Sequence, residues 1–163
     1  MTMPKISPCL WFNDQAEQAA KFYTGIFKNS KILEISRYTK AGNDVHGRPE
    51  ASVMTVTFEI DGTRFTALNG GPAFTFTEAI SFQIDCKDQQ EVDYYWEKLI
   101  EGGGKPVQCG WLKDKYGLSW QVVPTALKEM LMDKDTAKAS RVMEAMLKMV
   151  KLDIEALKKA GQG

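Results

Sequence analysis

From Ile6 to Phe12 apolar and polar residues alternate as in a strand with one buried face. The period then lengthens. In QAEQAAKFYTGIF, Ala19, Tyr23, Ile26 and Phe27 fall on one side of a helix, with Asp14 as its expected N-cap and Glu17 at the capping-box position. Lys31 to Tyr38 alternates again. A polar loop follows, and VMTVTFEIDGTRFTAL reads as two strands turned at Asp61-Gly62. Asn69-Gly-Gly-Pro72 breaks the second of these strands.

The same order then recurs. Ala79 to Asp85 reads as a strand, and DQQEVDYYWEKLIEGGG as a helix with Val92, Tyr95, Trp96, Leu99 and Ile100 inward. CGWLKDKYGLSWQVVP is a hairpin around the breaker Asp114 to Gly117. The pattern predicts a duplicated βαβββ unit within one domain spanning residues 1–163, with modules at 4–72 and 78–124. The class is α+β. One helix covers one face of each sheet, so two modules can curl their open faces into a half-barrel trough. Alternation places Ser7, Cys9 and Trp11 on one face of the first strand. It groups Ala79, Ser81 and Gln83 in the fifth, and Ser119, Gln121 and Val123 in the last. Gln121 poses the chemical question, because a neutral amide among large apolar residues needs partners.

Beyond Pro124 the pattern is helical, over residues 125–160. A short helix opens with PTALKEMLM. A longer one runs from Asp135 with Val142, Met146, Met149 and Val150 on a stripe that continues through Leu152, Ile154 and Leu157. The stripe is apolar area for packing on the domain or on a second subunit.

Composition narrows the classes. Among 163 residues, 21 basic and 21 acidic side chains cancel, which leaves no electrostatic footprint for nucleic acid or an anionic membrane. No apolar run reaches the length of a bilayer span and no signal-peptide pattern opens the chain, so a cytoplasmic location is expected. Cys9, Cys86 and Cys109 are too far apart for a zinc knuckle or a disulfide framework. His46 is the single histidine and reads as a loop residue, which excludes a multi-histidine metal site within one chain.

The pieces LWFNDQAEQAAKFYTGIF, VMTVTFEIDGTRFTALNGGP, FTEAISFQIDCKDQQEVDYYWEKLIEGG and CGWLKDKYGLSWQVVPTAL resemble the PhnB-like branch of the vicinal oxygen chelate superfamily. This superfamily includes glyoxalase I, extradiol dioxygenases and bleomycin-resistance proteins, and the branch often carries the label 3-demethylubiquinone 3-methyltransferase-like. The resemblance extends to the segment RVMEAMLKMVKLDIEAL. It implies the glyoxalase/bleomycin-resistance fold and a homodimer. It also implies four inward metal-ligand slots on strands one, four, five and eight, usually His, Gln or Glu. Those slots fall near Ser7, near Leu68 or Asn69, on Ala79 and on Gln121. A lone amide with Ser and Ala opposite is a poor divalent cage, so no metal and no cofactor are expected.

Two functions follow. The first is a metal-free small-molecule binder using Ser7, Cys9, Trp11, Asn69, Ser81, Gln83 and Gln121, with Phe82 as an alternative to Gln83 and with the ligand unidentified. Bleomycin-resistance proteins are the analogy. The second is an enzyme acting on a small metabolite, either a metal-dependent glyoxalase or dioxygenase type or the methyltransferase of the branch label. Its acid, base or nucleophile would come from Cys9, Cys109, Tyr38, Glu34, Glu59 or Glu78. Against methyl transfer, NGGP follows a strand and EGGG ends a helix, where a nucleotide-cradling loop of the doubly wound type opens one.

Overall fold

The computed structural model of the chain describes residues 4–163. They fall into a first unit ending at Thr75 and a second unit from Phe76 to Gly163. The first runs β1 (Cys9–Phe12), α1 (Ala16–Ile26), β2 (Lys31–Arg37), α2 (Asn43–His46), β3 (Val53–Ile60) and β4 (Thr63–Asn69). The second runs β5 (Ser81–Cys86), α3 (Gln89–Ile100), β6 (Lys105–Pro106), a 3-10 turn (Gln108–Gly110), β7 (Trp111–Lys113) and β8 (Ser119–Pro124). It ends with α4 (Thr125–Leu131), α5 (Thr136–Leu147) and α6 (Ile154–Gln162).

Each unit holds one open four-stranded sheet, ordered β1-β4-β3-β2 and β5-β8-β7-β6. In both, the first strand pairs parallel to the last and the other pairs are antiparallel. The class is therefore α+β with paired βαβββ modules and C-terminal helices, and the identical strand order establishes the duplication that the periodicity predicts. Asp61 and Gly62, both at positive φ, form the two-residue turn between Ile60 and Thr63.

In the first unit α1 buries Ala16, Ala19, Ala20, Tyr23 and Ile26 against a sheet face made by Leu10, Phe12, Val56, Phe58, Phe65 and Ala67. Tyr23 stacks on Phe58 at 6.2 Å between ring centroids. In the second, Val92, Trp96 and Leu99 of α3 cover Ile84, Cys86, Leu112, Trp120 and Val122. Each large apolar side chain so removed from water contributes about 1.5–3 kcal/mol.

Several boundaries differ from the pattern. Pairing begins at Cys9, after Pro8, so Ile6 and Ser7 precede β1 and are exposed. A proline lacks the N–H that a ladder needs. Ala79 lies in an exposed turn before β5, which starts at Ser81. The N-cap of α1 is Gln15 and not Asp14, and its side chain makes no capping bond. The cap comes from far along the chain, because Asn69 Oδ1 accepts from Ala16 N–H at 2.8 Å. The loop around His46 contains one helical turn, Asn43–His46.

The long C-terminal helix is two helices. α5 stops at Leu147, and Asp153 caps α6 by accepting from Ala156 N–H at 2.9 Å. The break lets Leu152 enter a core with Val123, Leu127, Val142 and Leu157, against which Met146 and Met149 pack. Much of the methionine stripe is thus spent inside this chain.

Candidate functional site

Gln121 lies in the middle of β8 with Gln83 of β5 directly beside it and Trp111 of β7 on its other flank. Gln121 Nε2 donates to Ser81 Oγ at 2.8 Å, and Gln83 Nε2 donates to Gln121 Oε1 at 3.3 Å. The amide therefore finds side-chain partners, two of them among the residues expected beside it. Ser81 and Gln121 are half-buried, Gln83 is exposed and Trp111 is half-buried. The result is an uncharged row across the sheet: two amides ending on an indole.

Charges flank this row. On one side Lys113 of β7, register partner of Ser119, pairs with Glu78. The hydrogen bond from Lys113 holds the Glu78 carboxyl below its ordinary range. On the other side Asp85, register partner of Val123, pairs with Lys128 of α4. Both are solvent-facing pairs of small energetic weight, yet each cancels charge beside the row. Ser119, beside Ser81 in the register, is only 1% exposed and its Oγ has no hydrogen-bond partner. A buried hydroxyl left without a partner calls for a water or a ligand atom.

Phe82 and Trp120 are register partners on the helix-covered face, 5.6 Å between ring centroids, so Phe82 does not share the face of Gln121. Trp120 Nε1 donates to Asp114 Oδ2 at 2.9 Å. Asp114 Oδ1 also accepts from the Tyr116 and Leu118 N–H groups at 2.8 and 3.1 Å. Asp114, read from the sequence as a turn breaker, is 3% exposed and organises the whole hairpin.

In the first unit Cys9 and Trp11 lie on the face of β1 away from α1, beside Thr66 and Leu68. Trp11 is held in place: its Nε1 donates to Gly71 O at 2.9 Å, and Phe74 meets its ring edge-on at 4.8 Å. A Cβ added at Gly70 would overlap that indole. Asn69, 5% exposed, faces α1 instead, and its Nδ2 donates to Val53 O at 3.1 Å. Leu68 therefore occupies the open face at this point of β4. Ser7 stands exposed before the strand.

A concavity in this unit, of about 460 Å³, is lined by Asp14, Glu17, Gln18, Arg48, Pro49, Ser52, Val53 and Asn69. The sequence gives no signal for it, since its walls come from three separated segments. Trp111 is not among the residues expected at the site, although counting the hairpin register back from its turn places it opposite Gln121.

The groups weighed for acid, base or nucleophilic work are dispersed. Outside those candidates, burial pushes the Cys86 thiol up to about 12, helped by the charges of Glu91, Asp85 and Asp88. Partial desolvation raises Cys9 as well. A thiol raised in this way is poorly nucleophilic. Tyr38 hydroxyl donates to Asn69 O, and Glu34 is exposed. His46 Nδ1 accepts from Arg48 N–H at 2.9 Å, its Nε2 lies 3.1 Å from Ala41 O, and its ring packs on Tyr38. Among the described residues no cluster of three His, Cys, Asp or Glu side chains is placed to hold a metal. The Gln121 row does not fit a divalent ion, because it offers neutral amides and hydroxyls without imidazole or carboxylate.

Comparison with known proteins bears on this geometry. The family model described as 3-demethylubiquinone-9 3-methyltransferase matches residues 4–123. The PhnB protein of Bacillus cereus is 34% identical, with a TM-score of 0.66, over 75% of this chain and 100% of its own. Protein PA1353 of Pseudomonas aeruginosa is 16% identical over 75% of this chain and 98% of its own, with a TM-score of 0.58. The fosfomycin resistance protein FosX of Listeria monocytogenes, in its complex with Mn(II) and sulfate, is 18% identical over 80% of this chain and 97% of its own, with a TM-score of 0.51. These last two likenesses show the fold. None of the curated proteins matches the chain. On the family match and the likeness to the PhnB protein together, the chain belongs to the PhnB-like 3-demethylubiquinone-9 3-methyltransferase family.

Proposed function

We propose that the chain binds a small, uncharged, planar molecule without a metal, on the row Gln83–Gln121–Trp111. The observation that carries this reading is the row itself, two hydrogen-bonded amides ending on an indole with self-neutralised ion pairs on either side. An indole supplies stacking area, and amides fix the orientation of a carbonyl or amide group. Ser81 Oγ accepts from Gln121, so its own proton is available to an acceptor on the ligand. The absence of imidazole and carboxylate from the row argues against the metal chemistry of more distant superfamily members. Neither glycine cluster opens a helix, since Gly70 and Gly71 follow β4 and Gly102 to Gly104 follow α3. This favours binding over methyl transfer.

The test is a thermal-shift and tryptophan-fluorescence screen of neutral aromatic amides, beginning with benzamide, on protein analysed for metal. Gln121→Ala is expected to weaken binding of a hit by about 0.5–1.5 kcal/mol. It should leave the melt nearly unchanged, because the partners it strands are side chains that water can reach. A large loss of stability in ligand-free Gln121→Ala would make the amide structural. Near one equivalent of retained metal, lost in the same variant, would overturn the metal-free reading.

We further propose a cytoplasmic homodimer. Three free thiols suit a reducing compartment, and Met132, Met143 and Leu147 leave apolar area exposed on the C-terminal segment. Light scattering that returns the 18.3 kDa of one chain at micromolar concentration would refute the dimer.

A further inference from the structure

Resting on that reading of the row, we infer that the C-terminal helices wall off one end of it and set the length of the molecule it accepts. The family match ends at residue 123, and the wholly covered PhnB protein of Bacillus cereus corresponds to three quarters of this chain. α4, α5 and α6 all lie beyond that point.

Three contacts place these helices across the sheet. On β5, Asp85 is two residues beyond Gln83 on the same side, and Lys128 of α4 pairs with it. On β8, Val123 is two residues beyond Gln121 on the same side, and it is buried among Leu127, Val142, Leu152 and Leu157. At the entry to β7, Cys109 and Gly110 donate their N–H groups to Met149 O and Val150 O at 2.9 and 2.8 Å. Asp85 and Val123 are register partners. Cys109 and Gly110 belong to the 3-10 turn that leads directly into Trp111, the β7 end of the row. On β5 and β8 the covered positions Asp85 and Val123 therefore form a line parallel to the row, and the helices also meet the turn that enters β7.

Two residues of strand separate the line from the row, about 6.6 Å. That is room for one aromatic ring and not for a second fused ring on that side. Further bonds fix the segment in place. Gln89 of α3 donates to Leu152 O at 3.1 Å and accepts from Ile154 N–H at 2.8 Å, and Lys151 pairs with Asp93 at 2.8 Å. The wall is thus a rigid part of the second unit, and Lys128 is its specificity-determining side chain.

The test compares benzamide with anthracene-9-carboxamide, whose outer rings extend on both sides of the amide axis. Affinities are read by quenching of tryptophan emission in a Trp11→Phe background, where Trp96 and Trp120 are buried and Trp111 is the half-buried indole at the row. The wild-type wall should make the anthracene amide at least tenfold weaker than benzamide. Lys128→Ala, a change to an exposed side chain with the melt recorded alongside, should narrow that ratio at least threefold. Equal affinities in the wild type, or a ratio that Lys128→Ala does not move, would overturn the wall alone. Failure of both amides to bind either protein would remove the reading of the row, and the wall as a specificity device with it.

Discussion

Asp114→Ala is expected to lower stability by about 4 kcal/mol, a large effect for a single substitution. One carboxylate, 3% exposed, accepts from the Tyr116 and Leu118 N–H groups and from the Trp120 indole. Hydrogen bonds to a charged acceptor are worth about 1.5–3 kcal/mol each, and removing the acceptor leaves its buried donors unpaired. The damage would spread, because the turn sets the register that places Trp111 beside Gln121. Asp114→Asn tests the assignment. It keeps an acceptor for the turn amides but can set an NH₂ against the Trp120 N–H, so an intermediate loss is expected. Urea unfolding followed by tryptophan emission measures both variants. A loss below about 1 kcal/mol for Asp114→Ala would show that water replaces the carboxylate.

Asn69→Ala should cost about 3 kcal/mol. Its side chain satisfies Ala16 N–H at the start of α1 and Val53 O at the start of β3, and both bonds are made at a residue 5% exposed. Stranding each buried backbone group costs about 1–3 kcal/mol. Asn69→Asp should not rescue the protein, since a carboxylate retains the acceptor for Ala16 but offers no donor to Val53. Urea melts of the two variants decide the point. Near-wild-type stability for Asn69→Asp would mean that the bond to Val53 carries no weight.

Much of the fold was legible because the two sheets are each covered on one side. That condition imposes period two on strands and a one-sided stripe on α1 and α3, so the sequence pattern alone marks Tyr23, Trp96 and their neighbours as inward. The exceptions share a cause. Ser7, Ala79 and the break after Leu147 all lie at element ends, where local alternation continues for a residue or two past the last hydrogen bond that makes an element. Of the expected site residues, Ser81, Gln83 and Gln121 meet in one network because the strand positions and their alternation were read correctly. The pattern leaves the open-face position at the end of β4 between Leu68 and Asn69, because the register of β4 depends on pairing with β1 and β3, which no local pattern encodes.

By itself the sequence determined the α+β class, the duplicated βαβββ order, the turn at Asp61-Gly62 and the faces of β5 and β8. All of these follow from periodicity and turn chemistry within short windows. Tertiary structure alone decided which polar groups are spent on the fold and which stay available to a ligand. Asn69 and Asp114 are equally polar in the sequence as Gln83 and Gln121. Asn69 is taken up by a donor 53 residues away, and Asp114 by N–H groups two to six residues on that converge on it only when the hairpin forms. Gln83 and Gln121 lie on the face that α3 leaves uncovered, with partners of their own kind. A polar side chain's role depends on what the chain folds against it, and hydrogen-bond partners distant in sequence are fixed only when the strands pair.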